Sequence, residues 1–213
     1  MSLQLSEQKG ASASQWGEIV GLVRSFAVFL GIAFMLRASV VEAFKIPSTS
    51  MVPTLQVHDH ILVNKLSYGM RLPLLAKTVF NFREPKRGDV VVFTLPDNPA
   101  TPEDESDTNI IKRVIGLPGE SLEVRGTKLF IDGVEYDKDR EYAVWVNGGR
   151  KDFGPVTIPP GKIILLGDNR DQSKDSRYWQ PEPFLDISRI KGRAFIIYWN
   201  SGLLLKRMFS VIH

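Results

Sequence analysis

The chain has 213 residues, with 27 lysines and arginines against 24 aspartates and glutamates, a formal net charge of +3, 43% hydrophobic residues and no cysteine. This length suits one domain of ordinary size with an appended segment, and the apolar and charged fractions are those of a globular protein. So mild a basic excess does not point to nucleic acid, and the missing cysteine excludes disulfide scaffolds, thiolate metal sites and a cysteine nucleophile.

Residues 1–15 are polar and lack apolar periodicity, which predicts a flexible tail ending near residue 17. The character then changes: residues 19–41 are almost entirely apolar, interrupted by Arg24 and Arg37 and uncharged only over 25–36. A membrane-spanning helix needs about 20 apolar residues, a length reached here when both arginines sit near the ends and extend to the headgroups. The reading favours a transmembrane helix over 18–41. A buried soluble helix competes with it, and so does a cleaved signal peptide, since Val41-Glu42-Ala43 loosely resembles a small-x-small cleavage site without a strong basic cluster before it. Lys9 and Arg24 on one side match Arg37 and Lys45 on the other, so charge does not orient the helix.

Ile46-Pro47-Ser48-Thr49-Ser50-Met51-Val52-Pro53-Thr54-Leu55 follows, with three hydroxyl residues between two prolines. Each proline removes a backbone donor and pushes its predecessor towards extended geometry, so the segment is a rigid strand or bend able to hold a hydroxyl in place. A serine becomes a nucleophile only beside a base, and the same composition also suits an ordinary turn. Residues 60–65 read as a strand. Residues 68–82 mix apolar and basic side chains around Pro73, which suits either a covered loop or a surface that dips into lipid. A turn at Arg87-Gly88-Asp89 leads into a buried strand over 90–93, and 96–109 is an acidic loop with a disordered composition.

Ile110-Ile111-Lys112-Arg113-Val114-Ile115 is a β-rich run with a lysine at its centre, closed by the turn Gly116-Leu117-Pro118-Gly119. Alternation places Lys112 on one face with Ile110 and Val114, where its ammonium is drawn into apolar surroundings, unless it is one of the exposed edge lysines common in strands. Short strands follow at 122–124, 128–131 and 134–136, with Asp132-Gly133 as a hairpin turn, then at 156–158 and 163–166. This is an all-β pattern. Gly167-Asp168-Asn169-Arg170-Asp171-Gln172-Ser173-Lys174-Asp175-Ser176-Arg177 is a dense polar loop directly after a buried strand, a place where sites concentrate. Its acids do not follow calcium-loop spacing and it lacks the required internal glycine. Residues 190–193, a strand over 194–199 and an amphipathic tail over 203–212 complete the chain, the tail either capping the domain or touching lipid.

Three of these stretches, in this order, resemble the motifs of the bacterial type I signal peptidases, membrane-anchored serine proteases that remove signal peptides from exported proteins. They are the run from Ser48 to Leu55, the run from Lys112 to Glu120, and the run from Gly167 to Arg177. The resemblance implies a mainly β, antiparallel-sheet or barrel-like catalytic domain over 42–213, with 121–160 as an inserted subdomain, behind one transmembrane helix. It implies Ser50 as nucleophile, Lys112 as general base, and the Ser48 hydroxyl with the Ser50 backbone N–H as oxyanion donors. Ser173 would orient the lysine, and Asp175 and Arg177 would form a supporting salt bridge. Phe44, Ile46, Pro47 and Ile111 would line the substrate site, the extended signal peptide lying between the 44–47 and 110–112 strands. Thr49 departs from the family, which often has glycine there, and a β-branched residue resists positive φ.

The chemistry of these side chains agrees. An attacked amide develops charge on oxygen that fixed donors stabilise, and a lysine is a base near neutrality only when desolvation lowers its pKa, which apolar neighbours such as Ile110, Ile111, Val114 and Met51 supply. His58 and His60 are then read as solvated strand residues, with no metal site and no cofactor. The implied partners are signal peptides of exported preproteins and the lipid bilayer, with no nucleic acid and no indication of oligomeric state. The implied location is the cytoplasmic (inner) membrane, single-pass, with the catalytic domain on the outer or periplasmic side. A specialised peptidase maturing a conjugation pilus subunit, and a non-catalytic membrane-anchored module of the same fold, are the competing readings.

Overall fold

The computed structural model describes residues 16–31, 40–71, 78–80, 83–95, 108–137, 140–146, 148, 152–202 and 204–213. The chain divides into two compact units, Met1–Val40 and Val41–His213.

In the first unit, residues 16–31 are helical, and the large apolar side chains along them are exposed, from 49% at Leu30 to 75% at Leu22. Among the described residues no helix is long and apolar enough to cross a membrane. Residues 32–39 of the expected span lie outside the described residues.

The second unit is built from short antiparallel strands. They are β1 (Val41–Lys45), β2 (Asp59–Asn64), β3 (Met70–Arg71), β4 (Thr78–Phe80), β5 (Val90–Phe93), β6 (Ile110–Gly116) and β7 (Ser121–Arg125), followed by β8 (Lys128–Ile131), β9 (Val134–Glu135), β10 (Phe153–Thr157), β11 (Lys162–Leu166), β12 (Leu185–Asp186), β13 (Ile190–Asn200) and β14 (Ser210–Val211). An eight-stranded sheet runs β1-β2-β13-β5-β6-β11-β12, with β14 added to β13. A four-stranded sheet runs β10-β7-β8-β9, and β3 pairs with β4. The all-β expectation therefore holds for this unit.

β-branched runs explain the central strands. All four residues of β5 are buried, Val90 and Val92 joining one cluster with Met51, Ile61 and Ile111, and Val91 and Phe93 another with Val114, Ile163 and Leu165. Such two-sided burial gives a continuous apolar run instead of alternation. β6 is likewise buried from Ile111 to Gly116, so facial alternation does not by itself decide the surroundings of Lys112. The β8–β9 hairpin turns at Asp132 and Gly133 with φ of 51° and 79°, the left-handed geometry that Asp-Gly favours. The β7–β10 sheet packs Leu122, Val124, Leu129 and Ile131 onto Ile115, Ile164 and Leu166, so it shares a core with the main sheet.

Two local expectations change, and of the two readings of the tail one is met. Residues 190–193 and 194–199 are one strand of eleven residues, because Gly192 passes Asn64 where a Cβ would stand 2.6 Å from the Asn64 carbonyl oxygen. The tail caps the sheet: β14 pairs with β13, and Ile212 is 3% exposed within the β5 and β13 core. His60 is not simply solvated, since its ring lies 4.7 Å from that of Trp199. Residues 72–77, 81–82 and 96–107, which carry most of the apolar loop and of the acidic loop, lie outside the described residues.

Candidate active site

Ser50 follows β1 in a turn whose backbone is internally bonded, Val52 N donating to Thr49 O at 3.1 Å and Leu55 N to Met51 O at 2.8 Å. Met51 and Leu55 are fully buried and pin that turn to the core, while Pro47, Ser48 and Thr49 remain exposed. Thr49 is not among the residues of positive φ, so its β-branched side chain sits without backbone strain.

Lys112 comes from β6, where register places it opposite Val91. Its Nζ donates to Ser50 Oγ at 2.8 Å and to the Ile111 carbonyl oxygen at 2.9 Å. Ser50 is 7% and Lys112 5% exposed. Burial drives the lysine pKa down from 10.5 to about 8, against an opposing pull from the Asp175 and Asp168 carboxylates. Ser48 Oγ lies 3.3 Å from Ser50 Oγ on the solvent side.

The loop after β11 closes the site from the other side. Asn169 N donates to the Ser50 carbonyl oxygen at 3.1 Å. Asp175, fully buried, accepts from Arg177 Nε and Nη2, each at 2.8 Å, and from Gly167 N at 3.0 Å. Ser173 is 4% exposed, and its hydroxyl makes no hydrogen bond among the described residues, so an orienting contact to Lys112 is not formed in this structure. A Cβ on Gly167 would stand 2.3 Å from Ser173 Oγ and 2.5 Å from the Ser50 carbonyl oxygen, so only glycine lets these groups meet.

Of the expected substrate-site residues, Phe44 is the half-buried penultimate residue of β1, and Ile46 and Pro47 lie just beyond that strand. Ile46 is 2% exposed and its N–H donates to the Asp59 carbonyl oxygen at 2.8 Å, so it belongs to the core as well as to the rim. Ile111, 8% exposed, packs in the same cluster as Ile46, with Phe44 against it. β1 pairs with β2 alone among the described residues, and β6 pairs with β11 only from Arg113 onward, leaving 110–112 joined to β5 on one side.

Sequence reasoning passed over two residues of the site. Arg113, 1% exposed, binds both carboxylate oxygens of fully buried Asp168 at 2.7 and 2.6 Å, and also donates to the carbonyl oxygens of Gly88 and His213. An arginine inside an apolar strand demands a carboxylate, and that was the available signal.

A family model described as signal peptidase, peptidase S26, matches residues 19–199. The chain belongs to this family. It is a serine endopeptidase that cleaves signal peptides from preproteins. The peptidase is 38% identical to signal peptidase I of Pseudomonas fluorescens over 215 residues, covering 83% of this chain and 71% of that one. It is 37% identical to signal peptidase I of Pseudomonas aeruginosa over 83% of this chain and 71% of that protein. A probable signal peptidase I-2 of Synechocystis is 35% identical over 86% of this chain and 73% of its own. Among solved structures, the crystal structure of a signal peptidase I from Enterococcus faecalis V583 shares 32% identity, covers 52% of this chain and 97% of that chain, and has a TM-score of 0.41.

Proposed function

We propose that Ser50 is the nucleophile and Lys112 the general base of this peptidase. The observation that carries the reading is the 2.8 Å contact between Lys112 Nζ and Ser50 Oγ, with the lysine 5% exposed and its pKa lowered to about 8. A neutral amine offers a lone pair to the serine proton, and near neutral pH a useful fraction of Lys112 is in that form. As Oγ attacks the scissile carbonyl carbon, its proton passes to Nζ. Charge gathering on the carbonyl oxygen is held by the Ser50 N–H and the Ser48 hydroxyl, each such donor worth about 3 kcal/mol of barrier. Collapse of the tetrahedral species breaks the C–N bond, and Nζ returns the proton to the leaving amine. Water, losing a proton to Lys112 Nζ, then attacks the acyl carbon, and Nζ hands that proton to Ser50 Oγ as the C–O bond breaks. Asp175 and Arg177 support the loop that closes the site, and Ser173, buried in the same loop beside Gly167, is the residue proposed to orient the lysine.

The substrate enters as an added strand between the open edges of β1 and residues 110–112, a mode in which backbone pairing gives affinity and small pockets give selectivity. Phe44, Ile46, Pro47 and Ile111 flank that path. The domain reading remains a tail over 1–17, a membrane helix over 18–41 and a catalytic domain over 42–213 with an inserted part at 121–160. Its support is the row of exposed large apolar side chains along 16–31, which water does not favour. It places the peptidase on the cytoplasmic membrane with its catalytic domain outside.

The test is cleavage of a labelled preprotein by the purified protein, with the cut mapped by mass spectrometry. Ser50→Ala and Lys112→Ala should each abolish the cut, and the double variant should be no worse, because nucleophile and base act as one unit. Full activity in either single variant would falsify the assignment. Fractionation and external proteolysis of cells would test the membrane placement, and recovery in the soluble fraction would sink it.

A further inference from the structure

The loop carrying Asp168, Arg170 and Ser173 is gripped by a segment that belongs to none of the three motifs. Arg170 is 1% exposed, and its two terminal nitrogens face the Asp137 carboxylate while Nε donates to the Gly167 carbonyl oxygen at 3.0 Å. Val144 N donates to the Asp168 carbonyl oxygen at 2.9 Å and Arg170 N to the Val144 carbonyl oxygen at 2.9 Å, forming a parallel bridge between Val144 and Asn169. The Tyr142 ring centre lies 4.0 Å from the guanidinium carbon of Arg113. The segment is folded on itself by Arg140 N to Asp137 O at 3.1 Å and Ala143 N to Arg140 O at 3.0 Å.

These contacts converge on the backbone that touches the nucleophile. Asn169 N holds the Ser50 carbonyl oxygen at 3.1 Å, and Gly167 admits Ser173 and Ser50 together. Movement of 167–169 therefore moves Ser50 relative to Lys112. We propose that Asp137 is a positioning residue for the hydrolysis: by pairing with Arg170 it fixes the 167–169 backbone and, through it, the Ser50–Lys112 distance. A buried guanidinium that loses its carboxylate must shift towards other acceptors or water, and Arg170 Nε drags the Gly167 carbonyl with it. Displacement of about 1 Å at reacting atoms costs rate while leaving the edges of β1 and residues 110–112, held by β2 and β5, in place.

The inference rests on the Ser50–Lys112 reading, and one experiment separates the two. In the full chain, kcat and KM for a labelled preprotein are compared for wild type, Asp137→Asn, Asp137→Glu and Lys112→Ala, with thermal unfolding followed in parallel. Asp137→Asn should lose about tenfold or more in kcat with KM within about twofold, and Asp137→Glu should recover part of the loss. Wild-type kcat in Asp137→Asn beside an inactive Lys112→Ala would overturn the positioning role alone, whereas an active Lys112→Ala would overturn the dyad. A loss confined to KM would overturn the proposal. So would disappearance of the cooperative unfolding transition in both Asp137 variants, which would make Asp137 a residue of the framework.

Discussion

Lys112 Nζ stands 2.8 Å from Ser50 Oγ while both nearby carboxylates are committed elsewhere, Asp168 to Arg113 and Asp175 to Arg177. A charged ammonium in this place would have lost its water and gained no carboxylate partner of its own. Desolvation consequently outweighs the attraction of the two aspartates, and the lysine pKa falls to about 8. Burial is what makes the lysine a base.

The first consequence concerns pH. Because the working form of Lys112 is neutral, kcat/KM should rise as pH increases through about 8 and level off above it. A pH profile of kcat/KM, measured on one preprotein well below saturation, checks this. A rate that is flat from pH 6 to 10 would place the controlling group elsewhere.

Ser48 gives the second. Its hydroxyl is exposed and 3.3 Å from Ser50 Oγ, close enough to donate to an oxygen forming beside the nucleophile. Ser48→Ala should lower kcat by about a hundredfold or more and leave KM nearly unchanged, since the interaction strengthens as charge develops. Steady-state kinetics of the variant decide it, and an effect on KM alone would remove Ser48 from the oxyanion site.

Much of this was legible in the residues themselves. β5 and β6 are readable because β-branched residues crowd between turn signals, and the site stretches because hydroxyls, a strand lysine and a polar loop stand out against an apolar background. The pairing of Arg113 with Asp168 was not legible, since which buried guanidinium meets which carboxylate is set by the β6–β11 register and its shift between Ile164 and Leu165. The capping tail was ambiguous because an amphipathic stretch of ten residues fits a sheet edge or a lipid surface equally well. Asp137 was invisible because its partner Arg170 lies 33 residues away and Asp137 itself stands in none of the three motifs.

Arg113 and Asp168 supply the third prediction. Their side chains are 1% and 0% exposed, so removing one charge strands the other in the interior. Asp168→Asn should destabilise the protein by about 3–5 kcal/mol, far more than breaking the exposed Lys128–Glu135 pair, for which about 0–1 kcal/mol is expected. Denaturant melts of Asp168→Asn and Glu135→Gln side by side test this, and equal small losses would show that Arg113 finds other acceptors.

The final prediction couples function to stability. Lys112 has a folded pKa of about 8 against an ordinary value of 10.5, so holding it in the site opposes folding by about 3 kcal/mol wherever both forms of the chain would otherwise be protonated. Below about pH 8 that opposition is complete and independent of pH. Between about 8 and 10.5 the unfolded chain binds the extra proton, so this group makes stability rise with pH, and above 10.5 the opposition is gone. Lys112→Met keeps the apolar stem and removes the ionisable amine. It should therefore be inactive yet more stable than wild type at pH 7, with the advantage fading as pH climbs towards 10.5. Urea melts of both proteins at a series of pH values, taken as differences so that other titrating groups cancel, measure the effect. A methionine variant less stable than wild type at pH 7 would mean that the attraction of Asp175 and Asp168 outweighs burial and that Lys112 stabilises the fold.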